Sequence, residues 1–465
     1  MAKKVPKICS KLQDIIKKKH DSINLPLSNH PYFSYNRNLH LDVDCKISVR
    51  NNLIPKNLPL QSEKFKLNKD TLAKTVKYLL KPTFEQSQIM IGYCDAYTIM
   101  YNNVVKLIKD KKNEYKILHP EKDVKYSDLQ YKTTMTNLRV HFLDLQNYLC
   151  KIYKISKHIL DYAMQDCIKN FNTIVTKQLK GQIKHAKLRY LKKGKNKRIF
   201  KVDKHVSSKT SFFPSAMGKV LLSEPKLNYK KECTMVYIVQ YNKKENCFLL
   251  LNRNPIKQIS FKNVNNVIAI DPGQRTLVTG ISENHVLEIG TKISDKIKKN
   301  IDKINSIKKN KAKYVEKQLK NGDIIQNQVH TSKIIKQIAK IENKINNYVT
   351  DVHWKVSKYL VLNYDHIVIG NLSTSNIKKK YKHDGNLQIM KCLNMYTFRE
   401  RIKYRCLKYN KKYFRVNEAY TTKCCSNCAT MNDIGQSKIY TCTNCNLTYD
   451  RDIKSAGCIY MKALK

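Results

Sequence analysis

The chain has 465 residues, 89 of them Lys or Arg and 36 Asp or Glu, for a formal net charge of +53. Its apolar share falls below the roughly 45–50% of an ordinary soluble domain, but Lys, Asn and Tyr fill the gap rather than Pro, Gly or Ser, which argues against wholesale disorder, and the length corresponds to about three domains. No run approaches the roughly 18 apolar residues of a membrane-spanning helix, and the opening Met1-Ala2-Lys3-Lys4-Val5-Pro6-Lys7 lacks the apolar core of a secretory signal.

Residues 1–60 are basic and weakly periodic and read as a loosely ordered N-terminal extension. Residues 61–82 read as a strand leading into Pro82. Thr83 and Gln86 have the spacing of a capping box, and Ile89, Met90, Tyr93, Tyr97, Met100 and Val104 then keep helical spacing. Helical pattern continues through Leu138–Leu149 and Ile155–Leu179, with its apolar stripes assigned to packing between helices. From about Lys184 the period shortens. Lys187–Tyr190, Ile199–Val202, Lys219–Leu222, Thr234–Gln240 and Cys247–Asn252 read as short strands of a small antiparallel barrel or sandwich. The basic turn from Lys192 to Arg198 suits a solvated hairpin tip, a phosphate contact or a nuclear-import signal.

A β-branched run, Val264–Ile270, meets Asp271-Pro272-Gly273, and strand-like segments follow to Ile289. Ser294 to Leu362 reads as two antiparallel helices broken near Asn321-Gly322-Asp323. A strand at His366–Ile369, a helix at Met395–Tyr409, a strand at Tyr413–Val416, a Cys-rich segment and a helix from about Ile453 complete the chain.

The positive charge is spread along the whole chain, which points to a polyanion, and to nucleic acid ahead of an acidic protein or a membrane surface. Fifteen cysteines, an odd number mostly scattered singly, favour a reducing compartment over a disulfide framework. Two pairs stand apart: Cys425-x2-Cys428 and Cys442-x2-Cys445 supply four thiolates for a tetrahedral, closed and therefore structural Zn2+. Cys424 competes with Cys425, but only Cys425 gives the two-residue spacing. Asp271 closes a buried strand at the end where α/β sheets bind ligands. Asp450-Arg451-Asp452 precedes the last helix, where an Asp also serves as an N-cap. Together these acids lie in a βββα…β…α order, that of a ribonuclease-H-like nuclease holding two Mg2+ between carboxylates.

Val267-Ile268-Ala269-Ile270-Asp271-Pro272-Gly273 resembles the first RuvC motif of the transposon-encoded TnpB nucleases. The block from Thr421 to Cys428, Tyr440-Thr441-Cys442-Thr443-Asn444-Cys445 and Asp450-Arg451-Asp452-Ile453 resemble their C-terminal region. Pro82-Thr83-Phe84-Glu85-Gln86, Tyr101-Asn102 and Asp351-Val352-His353-Trp354-Lys355 are weaker echoes. The second catalytic Glu of that family falls at Gly370 here. Glu418, two residues beyond the strand ending at Val416, is the substitute, and its Asn417-Glu418-Ala419-Tyr420 context resembles the Fanzor relatives of TnpB. The family's Asn-Ala-Ala is Lys454-Ser455-Ala456, its later Asn is Cys458, and its Gly after the first Cys pair is Ala429.

The resemblance implies an α+β multidomain protein. It comprises an extension (1–60), a wedge-like β-barrel (61–82 with 183–262) and a helical recognition domain (83–182). An RNase H-like RuvC nuclease domain (263–465) follows, with a zinc ribbon inserted at 420–447. It implies an RNA-guided DNA endonuclease associated with a transposable element, in which base pairing reads sequence and the protein reads backbone shape and a short flanking motif. Asp271, Glu418 and Asp452 would hold Mg2+, with Asp450 in reserve, and Cys425, Cys428, Cys442 and Cys445 would hold Zn2+. The partners implied are a structured guide RNA and target double-stranded DNA, in a monomeric ribonucleoprotein without a membrane. The place of action implied is the nucleus of a eukaryotic host, or a viral factory or virion if virus-encoded. Alternatives are a non-cleaving regulator on a decayed RuvC scaffold, motivated by Gly370, and an unguided RNA-binding zinc-ribbon protein. On the relocated-acid reading, Glu418→Ala abolishes cleavage and Gly370→Ala spares it.

Overall fold

A computed structural model describes residues 43–49, 73–129, 134–183, 186–192, 197–203, 217–218, 220–222, 236–242, 247–256, 258–259, 266–321, 324–371, 385–435 and 437–464. Residues 193–196 of the basic turn, the helix break at 322–323 and most of 1–60 lie outside them. The chain divides into two units, one formed by residues 73–256 and one by the segments on either side. The first described strand, β1 (Cys45–Val49), belongs to the latter.

The 73–256 unit starts with β2 (Ala73–Lys81) and α1 (Phe84–Leu118). The helix begins where it does because Thr83 Oγ1 accepts from Gln86 N while Gln86 Oε1 accepts from Thr83 N, the reciprocal capping box. Its buried face includes Met90, Tyr93, Tyr97, Met100 and Val104. α2 (Met135–His141), α3 (Leu143–Tyr153) and α4 (Lys157–Leu179) follow. Then come β3 (Lys197–Asp203), β4 (Leu221–Leu222), β5 (Val236–Asn242) and β6 (Cys247–Pro255). The strands form an antiparallel sheet in the order β3-β5-β6-β2-β4, without a β3–β4 pairing among the described residues. Phe200 and Val202 on β3 pack on the helices, Phe200 edge-on to Tyr93 at 5.6 Å. Burying each such side chain stabilises the unit by roughly 1.5–3 kcal/mol. The expected strand Lys187–Tyr190 is not one. Asn102 on α1 takes its place as a partner, its side chain donating to Leu191 O at 2.9 Å and accepting from Leu191 N at 2.7 Å.

The second unit is built on a six-stranded mixed sheet, β1-β9-β8-β7-β10-β11. β7 (Val267–Asp271), β8 (Val278–Ser282) and β9 (His285–Ile289) are an antiparallel meander. α5 (Ile293–Asn321) and α6 (Ile324–Asn363) lead to β10 (His366–Gly370), parallel to β7. α7 (Gly385–Leu393) and α8 (Met395–Lys408) lead to β11 (Lys412–Val416), parallel to β10. The small hairpin of β12 (Ile439–Thr441) and β13 (Thr448–Asp450) and the last helix, α9 (Arg451–Ala463), complete it. Residues 45–49 correct the reading of 1–60 as an extension throughout. They form β1, antiparallel to β9, from Cys45 opposite Ile289 to Val49 opposite His285.

Alternate residues of the buried strands face different layers. Ile268, Ile270, Leu287, Ile367 and Ile369 face α5–α8. Val267, Ala269, Ile281, Val286, Val368 and Phe414 face α9. Asp271 continues this second face at the C-terminal end of β7. A buried Lys411–Asp365 pair joins the starts of β10 and β11. No described helix is long and apolar enough to cross a membrane.

Candidate carboxylate site and four-cysteine centre

Asp271 ends the central strand because the chain must turn there. A Cβ on Gly273 would lie 2.8 Å from Thr276 O, so the turn after Pro272 admits only glycine without a shift. Asp271 is pushed up to about 7 by burial and by Asp452, against a hydrogen bond with Ser455 and the charges of Arg451 and Lys454. Ser455 also lies 2.9 Å from Thr421 Oγ1, so its single proton serves one of two neighbours at a time.

Glu418 reaches the same place from the next strand but one. β10 lies between β7 and β11, and Gly370 at its end pairs with Val416. Glu418 follows two residues later, on a loop strapped to α9. Lys462 Nζ donates to Asn417 O and Ala419 O, both at 2.7 Å, and Thr421 Oγ1 donates to Glu418 O at 2.8 Å. The carboxylate fills the space over Gly370, where a Cβ would stand 2.2 Å from Glu418 Oε2. Oε2 is buried and has no hydrogen-bond partner. Burial and then Asp271 push Glu418 up to about 8, against Arg399 and Lys462. A methyl on Gly370 would therefore meet the Glu418 carboxylate, which bears against the expectation that Gly370→Ala is harmless.

Asp450 and Asp452 separate in role. Asp450 Oδ1 accepts from Asp452 N at 3.0 Å and Ile453 N at 3.2 Å, capping α9, and Oδ2 lies 3.6 Å from Lys438 Nζ. Asp452 stands in the first turn, 3.3 Å from Arg451 Nε, and is the acid that bears on Asp271.

Asp271 thus feels the charge of Asp452, and Glu418 that of Asp271, at one end of the sheet, with an orphaned oxygen on Glu418 and partial exposure at all three residues. An all-oxygen donor set of this charge fits a hard divalent cation. The thiols of Cys425, Cys428, Cys442 and Cys445 form a separate group, whose ligand atoms all lie within 4.8 Å of one another. Cys425 Sγ is 3.7 Å from Cys445 Sγ, and Cys428 Sγ is 3.4 Å from Cys442 Sγ. Four soft donors so placed could bind zinc. Two matching turns present them. Ala429 N donates to Cys425 O and Asn446 N to Cys442 O, with positive φ at Ala429 (62°) and Asn446 (54°). Cys424 is not part of the group, and its thiol donates to Ala429 O at 3.4 Å.

The Cas12f1-like TNB domain family model matches residues 396–459, the segment carrying Glu418, the four thiols and Asp452. Two TnpB-like proteins of Acanthamoeba polyphaga mimivirus are each 28% identical over 399 residues, covering 84% of this chain and 73% and 72% of their own length. These likenesses support a TnpB-family member. A cryo-EM structure of a Cas12f1–sgRNA–target DNA complex is similar at 12% identity and a TM-score of 0.46, over 80% of this chain and 83% of that one, too loosely to carry weight.

In this chain the structure brings Asp271 together with Glu418 and Asp452, and keeps the four cysteines as a separate centre. Lys454, a departure from the family pattern, is fully buried between them. Its Nζ donates to Cys424 O at 2.8 Å and stands 3.8 Å above the Tyr440 ring. The sequence pattern does not single out Glu288. It is buried on β9 opposite Thr279, which is itself opposite Asp271, so all three lie in one row across the sheet. Burial raises its carboxyl, against Lys438. The available signal was one acid inside the apolar run His285-Val286-Leu287-Glu288-Ile289.

Proposed function

We propose that the chain is a Fanzor-like, RNA-guided DNA endonuclease, associated with a transposable element, that hydrolyses DNA phosphodiesters with Mg2+ at one RuvC-type site made by Asp271, Glu418 and Asp452. The observation that carries this reading is the Glu418 carboxylate lying over Gly370 and against Asp271. It supports an acid supplied from a neighbouring strand rather than one lost, and so a working site over the non-cleaving regulator that Gly370 alone would suggest. The TnpB-like relatives and the Cas12f1-like match support a nuclease family. The net charge of +53 supports a polyanionic partner.

Mg2+ at such carboxylates supplies activation of water and stabilisation of the leaving oxygen. The chain's residues do the holding. Ser455 orients Asp271, the Lys462 strap fixes the Glu418 loop, and the Asp450 cap sets the first turn of α9 that presents Asp452. Zn2+ at the four thiols would be structural and take no part in hydrolysis. On this reading the 73–256 unit supplies the wedge-like and recognition regions that hold a structured guide RNA and its heteroduplex. The complex is a monomeric ribonucleoprotein acting on double-stranded DNA beside a short flanking motif, in a eukaryotic nucleus or a viral factory.

The test is to express the chain with its native flanking DNA, sequence the copurifying RNA and assay cleavage of a matching target. A discrete RNA and Mg2+-dependent cleavage, lost in Asp271→Ala, Glu418→Ala and Asp452→Ala while the RNA stays bound, is expected. A smear of RNA displaced by salt, or full cleavage by the Glu418 variant, overturns the reading.

A further inference from the structure

We infer that the 73–256 unit carries a lysine-walled cavity that takes an unpaired nucleotide of a nucleic-acid strand together with its flanking phosphates. The cavity measures about 570 Å3, within the roughly 300–1,000 Å3 of sites that enclose small ligands. Lys109, Lys112, Lys116, Lys122, Lys125 and Lys187 line it, against a single lining acid, Asp123. Lys109, Lys112 and Lys116 follow one another at three and four residues along α1, so their ammonium groups share one helix face, where like charges repel. A solvated helix gains nothing from that stacking; phosphates brought between the charges reverse its sign.

Aromatic rings hold two of these cations in position. Lys109 Nζ stands 3.8 Å from the centroid of the Tyr190 ring and Lys112 Nζ 4.7 Å from that of Tyr126. Tyr126 is anchored in turn. It is 4% exposed, meets Phe171 edge-on at 6.0 Å and is hydrogen-bonded to the backbone at Leu188. Val124, Tyr126 and Leu188, all buried, give the cavity an apolar lining beside its lysines. A base can lie against the apolar lining while its phosphates meet the lysines. A duplex cannot use this shape, because its bases are stacked inside a convex surface. The cavity stands on its own geometry; only the expectation that the strand is RNA rests on the proposed guidance.

The test uses the full chain and a fluorescent single-stranded oligouridylate about twelve nucleotides long, within the span such sites cover. Binding is measured against salt for the chain, for the Lys109→Gln, Lys112→Gln, Lys187→Gln triple variant, and for a control triple, Lys151→Gln, Lys157→Gln, Lys169→Gln, at exposed lysines of the same unit. Each phosphate contact on a single strand contributes about 0.7 to the slope of log K against log salt, so the cavity variant should lose about 2 from it. The control should keep its slope, and a blunt duplex should not distinguish the two variants. Equal losses in both variants, or the same loss on the duplex, overturn the proposal. Displacement of the RNA by micromolar uridine triphosphate also overturns it, in favour of a free-nucleotide site. Cleavage is not read, so failure here leaves the carboxylate site standing, and the reverse.

Discussion

Gly370 and Glu418 share one space. A methyl group on Gly370 would lie 2.2 Å from Glu418 Oε2 and 3.0 Å from Ile459 Cδ1. The glycine is therefore the complement of the displaced acid. Gly370→Ala should fold, since the obstructing oxygen is the end of a flexible side chain, but it should push the carboxylate away from Asp271. We expect cleavage to fall at least tenfold, with guide binding unchanged. Undiminished cleavage by this variant at saturating Mg2+ would show that Glu418 does not need the position it occupies.

The two acids before α9 should separate by readout. Asp450→Ala removes an N-cap and should cost about 1 kcal/mol of stability, with cleavage reduced only in proportion to the folded fraction. Asp452→Asn removes a charge that repels Asp271 and should leave stability unchanged or raised while abolishing cleavage. Urea unfolding alongside a cleavage assay decides between them. The opposite pattern would make Asp450 the functional acid.

Ala429 occupies the left-handed region at φ 62°, which costs a residue with a Cβ about 1 kcal/mol relative to glycine. Ala429→Gly should stabilise the four-cysteine hairpin by that amount, and in protein loaded with Zn2+ it should slow transfer of the metal to a chelator. Asn446, at φ 54° in the matching turn, is of a residue type that tolerates this region better, so Asn446→Gly should gain less.

His353 on α6 is buried, with Arg401 Nη1 2.9 Å from its Nδ1 and the Phe398 ring 4.8 Å away. Burial, and secondarily the Arg401 charge, lower it to about 3. An unfolded histidine protonates near 6.5, so below that pH the unfolded chain gains a proton that the folded chain refuses. Stability from this group is complete above pH 6.5 and falls by about 1.4 kcal/mol per pH unit down toward 3. The difference in urea midpoint between the chain and His353→Gln, followed from pH 7 to 5, should narrow as pH falls. A constant difference would mean that His353 is protonated in the folded state.

Much of the fold was legible because its signals are local. The Thr83–Gln86 cap, the β-branched runs ending at Asp271 and Gly370, and the paired CxxC spacing each declare themselves within a few residues. Glu418 could be nominated from its distance beyond a strand, but that its carboxylate fills the gap over Gly370 depends on parallel register and on the Lys462 strap, which no short window contains. β1 was missed for a related reason. Cys45-Lys46-Ile47-Ser48-Val49 is a weak strand by composition and gains its partners from β9. The segment at Lys187–Tyr190 misled in the other direction, because an asparagine side chain satisfies the neighbouring backbone where a strand ladder was expected.

The Cys45–Ile289 pairing also has a temporal side. On a ribosome adding roughly 5–20 residues each second, β1 emerges well before the strand it must join, and the whole 73–256 unit is made in between. Until β9 arrives, β1 has no ladder, and until β1 returns, the far edge of the sheet is an open template for another chain. β1 can therefore be captured by its edge only after β9 has been made, and a chain begun after residue 50 would leave that edge without its β1 partner and open to self-association.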